Sequence, residues 1–244
     1  MNTSHLDGIS YHMVHIDNIE SLFSKRAILS KEVLQKENMR VISIALDSVQ
    51  SLRDRIYIWS EIEKRYRALH SYVPFYFAKL TPMLYVQYAN NRQHEIVFLE
   101  LSNRILKEPG VIFTDGNAAN QQLSKFGDQK VYIIPATSSW KLERRYSYGC
   151  AYGTNGNCSS IFADPRLLTR LNWEIIYNGE FKGDAEKKRI KHAEVLIPDN
   201  VPLRRLQGIS TMSHWQAERV NSVARKFGLE GLIPKAVCRP DLYF

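Results

Sequence analysis

The sequence predicts a single α+β domain, and three observations carry that reading. Stretches rich in β-branched and aromatic residues crowd the middle of the chain. Helical patterns gather in the N-terminal third and near the C-terminal end. No regular alternation of strand and helix runs through the 244 residues, which argues against a doubly wound sheet, and no repeat, low-complexity run or Pro/Gly/Ser-rich linker divides them.

Residues 9–14 (ISYHMV) read as a short strand. Asp17 follows as a helix cap, Glu20 closes a capping box, and Ile19, Leu22 and Phe23 give that helix its apolar face. Residues 47–69 carry charges and large apolar side chains with no Gly or Pro, and read largely as helix. Residues 73–78 (VPFYFA) read as a buried strand, and Thr81-Pro82 opens a short helix. Strands are expected at 95–101 (EIVFLEL), 111–114 (VIFT), 131–134 (VYII), 173–177 (WEIIY) and 193–197 (AEVLI). Asp184 caps a charged helix that runs to Lys191. Ser213 and Gln216 make a second capping box. Val220, Val223, Ala224 and Phe227 line one face of that helix, and Gly228 stops it.

Composition narrows the class of function. Apolar residues make up 44% of the chain, too much for a disordered protein, and no run of apolar residues is long enough to span a membrane. The start, MNTSHLDGIS, lacks the basic and apolar regions of a signal peptide. Cys150, Cys158 and Cys238 are too few and scattered for a disulfide framework and suit a reducing cytosol, so a cytoplasmic protein is expected. Lys and Arg total 33 against 25 Asp and Glu, a formal net charge of +8 that favours phosphates or an acidic surface. The 13 Tyr and 4 Trp, several of them among arginines, add stacking surfaces.

Common catalytic motifs are absent: there is no phosphate loop of the GxxxxGK[ST] type, no HExxH and no GxSxG. Residues 149–156 are glycine-rich but lack a strand-to-helix setting, and Cys150 and Cys158 lack a close second pair, so no metal is expected. Four segments stand out. Residues 11–18 (YHMVHIDN) bring two histidines to a helix start, whose free N–H groups favour an anion; a strand-end histidine bonded to backbone is the alternative. Tyr76 and Tyr85 offer flat apolar faces with polar tips, suited to a heteroaromatic ring or to a plain core. Asp115-Gly116-Asn117 ends a strand as a turn. Glu194 lies in an apolar strand on the same face as Leu196, opposite Ala193, Val195 and Ile197; burial without partners is costly, so it faces solvent or serves a cleft.

In order along the chain, YHxxHIDN (11–18), LHSYVPFYFA with TPMLY (69–85), FTDGNAA (113–119), NWEIIY (172–177) and KHAEVLIP (191–198) resemble the DarT family of nucleic-acid ADP-ribosyltransferase toxins, from residue 9 to residue 205. The resemblance implies a split, mostly antiparallel β core of the poly-ADP-ribose-polymerase-like type with flanking helices. It implies NAD+ as co-substrate and a mono-ADP-ribosyltransferase activity. By the same resemblance Glu194 is the catalytic glutamate and His12 holds the NAD+ ribose. Tyr76 packs in the nicotinamide pocket, Tyr85 stacks on the ring, and Asn18 lies close to the dinucleotide.

Two positions depart from the family pattern. Thymine-modifying members usually carry an arginine just after FYFA; here Leu80 stands at that position and Lys79 replaces a proline, with Lys79 as the nearest positive charge. Val14 stands where threonine is frequent. The segment 138–164 is long and holds Trp140, Lys141, Arg144, Arg145, Tyr146, Tyr148 and Tyr152. In this class the loop near the catalytic strand reads the acceptor. Arginines there bind phosphates and aromatics stack on unpaired bases; a solvated loop with packed aromatics is the alternative. The expectation is therefore a cytoplasmic toxin that transfers ADP-ribose to a base in single-stranded DNA and has a cognate antitoxin. Single-stranded RNA is the alternative acceptor, as in phage defence, and a non-catalytic nucleic-acid-binding protein is the third reading. Residues 1–244 are expected as one domain, with 207–244 as a helical extension.

Overall fold

The computed structural model describes residues 4–60, 62–119 and 159–244, with the backbone alone of 125–126 and 129–134. Its centre is set by alternation along β1 (Ile9–His15) and the almost wholly apolar run of β6 (Ile96–Ser102), which pair antiparallel from Ile9↔Ser102 to His15↔Ile96. Around them lie β5 (Tyr72–Tyr76), β7 (Ile112–Thr114), β10 (Ile161–Phe162), β11 (Glu194–Pro198), β13 (Leu206–Thr211) and β14 (Ala236–Cys238). The eight strands run in the order β10-β7-β11-β5-β1-β6-β13-β14. Neighbours are antiparallel except β13 and β14. The sheet is split at its middle, because β1 and β5 meet at one pair, Tyr11↔Tyr76.

Two smaller sheets flank it. β2 (Ala27–Leu29) pairs with β12 (Asn200–Pro202), and β3 (Ile56–Ser60), β4 (Arg65–Ala68), β8 (Lys125–Phe126) and β9 (Gln129–Ile134) form a four-stranded sheet in the order β4-β3-β9-β8. Helices α1 (Ile19–Lys25), α2 (Lys31–Lys36), α3 (Asp47–Arg53) and α4 (Pro82–Ala89) precede β6; α5 (Trp173–Asn178), α6 (Ala185–Ile190) and α7 (His214–Lys226) follow β10. The largest core joins one face of the main sheet (Phe75, Val97, Leu99, Val195) to Phe23 of α1, Ile176 of α5 and Val220 of α7, all at most 1% exposed.

Most expected elements are present within a residue or two of their bounds. Thr81 caps α4, accepting from the Leu84 amide at 3.1 Å; Asp184 caps α6 by the Lys187 amide at 2.9 Å; Ser213 caps α7 by the Gln216 amide at 3.3 Å. Gly228, with φ +62, ends α7 in the left-handed region. Four expectations are corrected. Residues 173–177 are helical rather than extended: Asn172 accepts from the Ile175 amide at 3.1 Å, and Trp173 stacks on His5 and Tyr177, one helical turn along. Residues 47–69 hold only one short helix, after which the inward alternation of Ile56 and Ile58 makes β3. Asp17 caps nothing; a 3-10 turn (Ile16–Asn18) intervenes, and Asp17 pairs instead with Arg219 at 2.5 Å. The segment 207–244 is more than a helical extension, since β13 and β14 close one side of the main sheet.

Candidate active site

A cavity of about 570 Å³ opens at the split, walled by His12, Met13 and His15 of β1 and by Tyr72, Pro74 and Tyr76 of β5. That is within the range of roughly 300–1,000 Å³ typical of small-molecule sites. Its other walls come from α1, β2, α2, the segment 39–46, α3, the N-terminal half of α4, and Asn117, Lys188 and His192. Lys25, Lys31, Arg53 and Lys188 line it, the first three each paired with a carboxylate (Glu37, Asp54 and Glu194), and Asp47 is the one acidic lining residue among the described residues.

His12 bridges the gap that the strands leave open. Its Nδ1 lies 2.8 Å from the Pro74 carbonyl, which can only accept, so the proton sits on Nδ1 and Nε2 keeps a lone pair. Burial lowers the His12 pKa below the usual value, partly offset by the bond to Pro74, so the ring is neutral. Tyr76 is opposite Glu194 in the ladder between β5 and β11. Its hydroxyl lies 3.8 Å from Met83 Sδ, and burial, with the charge of Glu194 second, raises its pKa far above the ordinary phenol value.

Glu194 neither faces solvent nor forms the cavity wall. It is 1% exposed, one side chain behind that wall, and Arg53 stands between. Arg53 Nη1 lies 3.1 Å from Oε1 and 3.4 Å from Oε2, and the Ala118 amide donates to Oε1 at 2.9 Å. The pair satisfies what the sequence demanded of a buried acid, a charged partner and a donated N–H. Oε1 is doubly engaged, which leaves Oε2 as the oxygen with capacity to accept another hydrogen bond.

The Asp115-Gly116-Asn117 turn builds this arrangement. Asp115 accepts from Arg189 at 3.0 Å and from the Ser160 amide at 2.7 Å, and Thr114 donates to the Gly116 carbonyl at 2.6 Å. Gly116 is required by space: a Cβ there would lie 2.4 Å from Arg189 Nη1 and 2.6 Å from Ser159 Oγ. The turn delivers the Ala118 amide to Glu194 and places Asn117 on the cavity wall.

The other expected residues divide. Asn18 is on the wall, but its amide is engaged with the backbone of Ile42, donating at 2.8 Å and accepting at 2.9 Å. Tyr85 is corrected: it is not among the cavity-lining residues of α4, which are Pro82, Met83 and Val86. Its ring packs instead against Tyr88, Phe181 and Phe244 at centroid distances of 5.9, 6.0 and 5.4 Å. Lys79 turns to Asp241, 3.3 Å from its carbonyl and 3.9 Å from its carboxylate, and Leu80 packs beside Met13 and Phe98. Trp140, Lys141, Arg144, Arg145, Tyr146, Tyr148 and Tyr152, like Cys150 and Cys158, lie outside the described residues. Sequence reasoning missed Arg53 and His192. His192 is on the wall, its ring 6.0 Å from Tyr76, and burial lowers its pKa to about 4.

The class of the protein, an ADP-ribosyl-transferring enzyme, follows from a family match over most of the chain. The family model described as "ssDNA thymidine ADP-ribosyltransferase, DarT" matches residues 11–144 and 149–244, and the chain belongs to that family. The expected fold, the NAD+-dependent activity and single-stranded DNA as acceptor are those of the family. A DNA ADP-ribosyl transferase of Thermus sp. (strain 2.9) is 24% identical over 239 residues, covering 96% of this chain and 95% of its own. A solved structure of the Thermus sp. 2.9 DarT with ADP-ribosylated ssDNA superposes with a TM-score of 0.74 at 23% identity, covering 98% and 97% of the two chains; its complex with NAD+ gives 0.69 at 22%, covering 98% of each. A fusion of a DNA ADP-ribosyl transferase with a DNA ADP-ribosyl glycohydrolase from Thermosipho africanus is 26% identical over 51% of this chain and 31% of its own.

Proposed function

We propose that the chain transfers ADP-ribose from NAD+ to a base of single-stranded DNA, thymidine by its family's description, with Glu194, Arg53, His12 and Tyr76 as working residues. The observation that carries this is the buried Glu194–Arg53 pair directly behind the wall of the split-sheet cavity. The residues fit NAD+: the cavity, about 570 Å³, has room for a small-molecule ligand, and Lys25 and Lys31 on its wall supply charge for a pyrophosphate.

Bound there, NAD+ supplies an activated ribose: the bond from C1″ to nicotinamide breaks with its electron pair leaving on nicotinamide, a base nitrogen bonds to C1″, and that nitrogen gives up its proton. The chain's residues act where charge develops. Glu194 offers Oε2 to a ribose hydroxyl and places negative charge behind the electron-poor sugar. Arg53 fixes the carboxylate so that little reorganisation is needed. His12, through its Nε2 lone pair, accepts from a second ribose hydroxyl, and Tyr76 supplies a flat, un-ionised ring for nicotinamide. Asn18 acts indirectly, by holding the segment 39–46 over the cavity. The residues Trp140, Arg144, Arg145, Tyr146 and Tyr148 supply phosphate and base contacts to the acceptor.

A cytoplasmic toxin paired with an antitoxin is part of the same reading. The transferase–glycohydrolase fusion among its relatives supports a partner that removes the modification. The test is a mass shift of one ADP-ribose on DNA and RNA oligonucleotides carrying each base, with NAD+. Modification of thymidine in single-stranded DNA is expected, and modification of RNA alone overturns the DNA assignment. Glu194→Ala is expected to keep NAD+ binding and lose about 10²–10³-fold in transfer. Normal transfer by that variant removes Glu194 from its role.

A further inference from the structure

Arg53 closes α3, a helix of seven residues with little of its own to hold it. A helix so short is unstable alone. No side chain caps its N-terminus at Leu46, Leu46 and Leu52 are about half exposed, and Arg53 is its one buried residue. The cation that fixes Glu194 therefore sits on an element that must be held from outside.

The grip comes from His70. It lies in a 3-10 turn (Leu69–Ser71) between β4 and β5, 8% exposed, with its neighbour Leu69 fully buried in the core. Its Nε2 lies 2.8 Å from Asp54 Oδ1 and 3.3 Å from the Gln50 carbonyl, which are the residue after Arg53 and a residue one turn before it. Lys31 Nζ, 3.2 Å from that ring nitrogen and 3.5 Å from Asp54 Oδ1, shares the carboxylate. Among the described residues, His70, Lys31 and Glu194 make the side-chain polar contacts that reach the last turn of α3 from elsewhere.

We propose that His70 is a positioning residue for the transfer reaction: it clamps the end of α3 so that Arg53 meets Glu194. The inference rests on the transferase reading above. Burial, and secondarily Lys31 and Arg53, lower the His70 pKa, so the ring is neutral; its Nε2–H donates to the Gln50 carbonyl and lies against the Asp54 carboxylate.

A double-mutant cycle tests the clamp. His70 also borders the cavity; His70→Ala is expected to lower kcat about 10–100-fold, the scale of an ångström-sized misplacement, with a smaller rise in KM for NAD+. His70→Gln, which keeps an N–H donor, is expected to recover most of the rate. Added to Arg53→Gln, His70→Ala should cost nothing further, because both act through one group. Losses that multiply in the double variant overturn the proposal, as does an unchanged kcat in His70→Ala. Hydrogen exchange over residues 47–54 reads the clamp independently of activity: faster exchange there in His70→Ala, with β5 unaffected, is expected, and unchanged exchange overturns it. If the unaltered protein modifies no oligonucleotide, the transferase reading fails, and the exchange result still decides the clamp.

Discussion

Glu194 is buried because Arg53 and the Ala118 amide make burial tolerable, and the same contacts prepare it for chemistry. Removing one member of such a pair leaves an uncompensated charge, at a cost of about 3–5 kcal/mol. Arg53→Met is expected to lose that much stability in urea unfolding, and Arg53→Met with Glu194→Leu to regain most of it while remaining inactive. A second expectation concerns protons. His12, His70 and His192 all have pKa values lowered chiefly by burial, that of His192 to about 4. The unfolded chain takes up these protons first, so stability present above pH 6.5 is lost as pH falls toward about 4. The melting temperature should drop between pH 7 and pH 5, and His192→Phe should flatten part of the drop; a level profile refutes the assignment. His12, Tyr76 and Glu194 were legible because they lie in motifs whose neighbours fix their strand and face. Arg53 was not: it sits among Leu52, Asp54 and Arg55 with no local pattern, and its importance arises from a partner 141 positions away.

Elements carry the cavity walls, and their caps are where they are vulnerable. Thr81, fully buried, caps α4, whose Pro82, Met83 and Val86 line the cavity. Thr81→Ala is expected to cost about 1 kcal/mol in urea unfolding, and Thr81→Ser to cost less. The segment 39–46 is tied down by Asn18 at Ile42 and by Gln87 at the Ile44 carbonyl, 2.8 Å away. Asn18→Ala should therefore raise KM for NAD+ with kcat nearly retained, a split visible in steady-state kinetics. Caps on α4, α6 and α7 were readable because a single oxygen side chain sets them. The sequence WEIIY misled because its β-branched and aromatic content favours a strand, whereas Asn172 and the stack of His5, Trp173 and Tyr177 impose a helix. Strand β3 was missed although its alternation and its neighbour β4 are local: the charged residues on both sides of Ile56–Ser60 gave the stretch a helical pattern, and its other partner, β9, lies more than 70 positions along the chain.

At the scale of the molecule, the net charge of +8 sets how it meets its acceptor. Neutralising phosphates releases counterions, so KM for an oligonucleotide should rise steeply with salt and KM for NAD+ less so. Equal slopes for the two substrates would show that the basic excess does not serve the DNA. The α+β class was legible from the distribution of strand-like and helical runs. The strand order was not, because β13 and β14 join the sheet edge through long-range pairing that composition does not encode.

The single rung between β1 and β5 has an energetic corollary. A ligand sliding into that seam severs no ladder bonds, and its entry demands no rupture of the backbone scaffold. Whatever affinity the walls provide is thus not spent prising two strands apart.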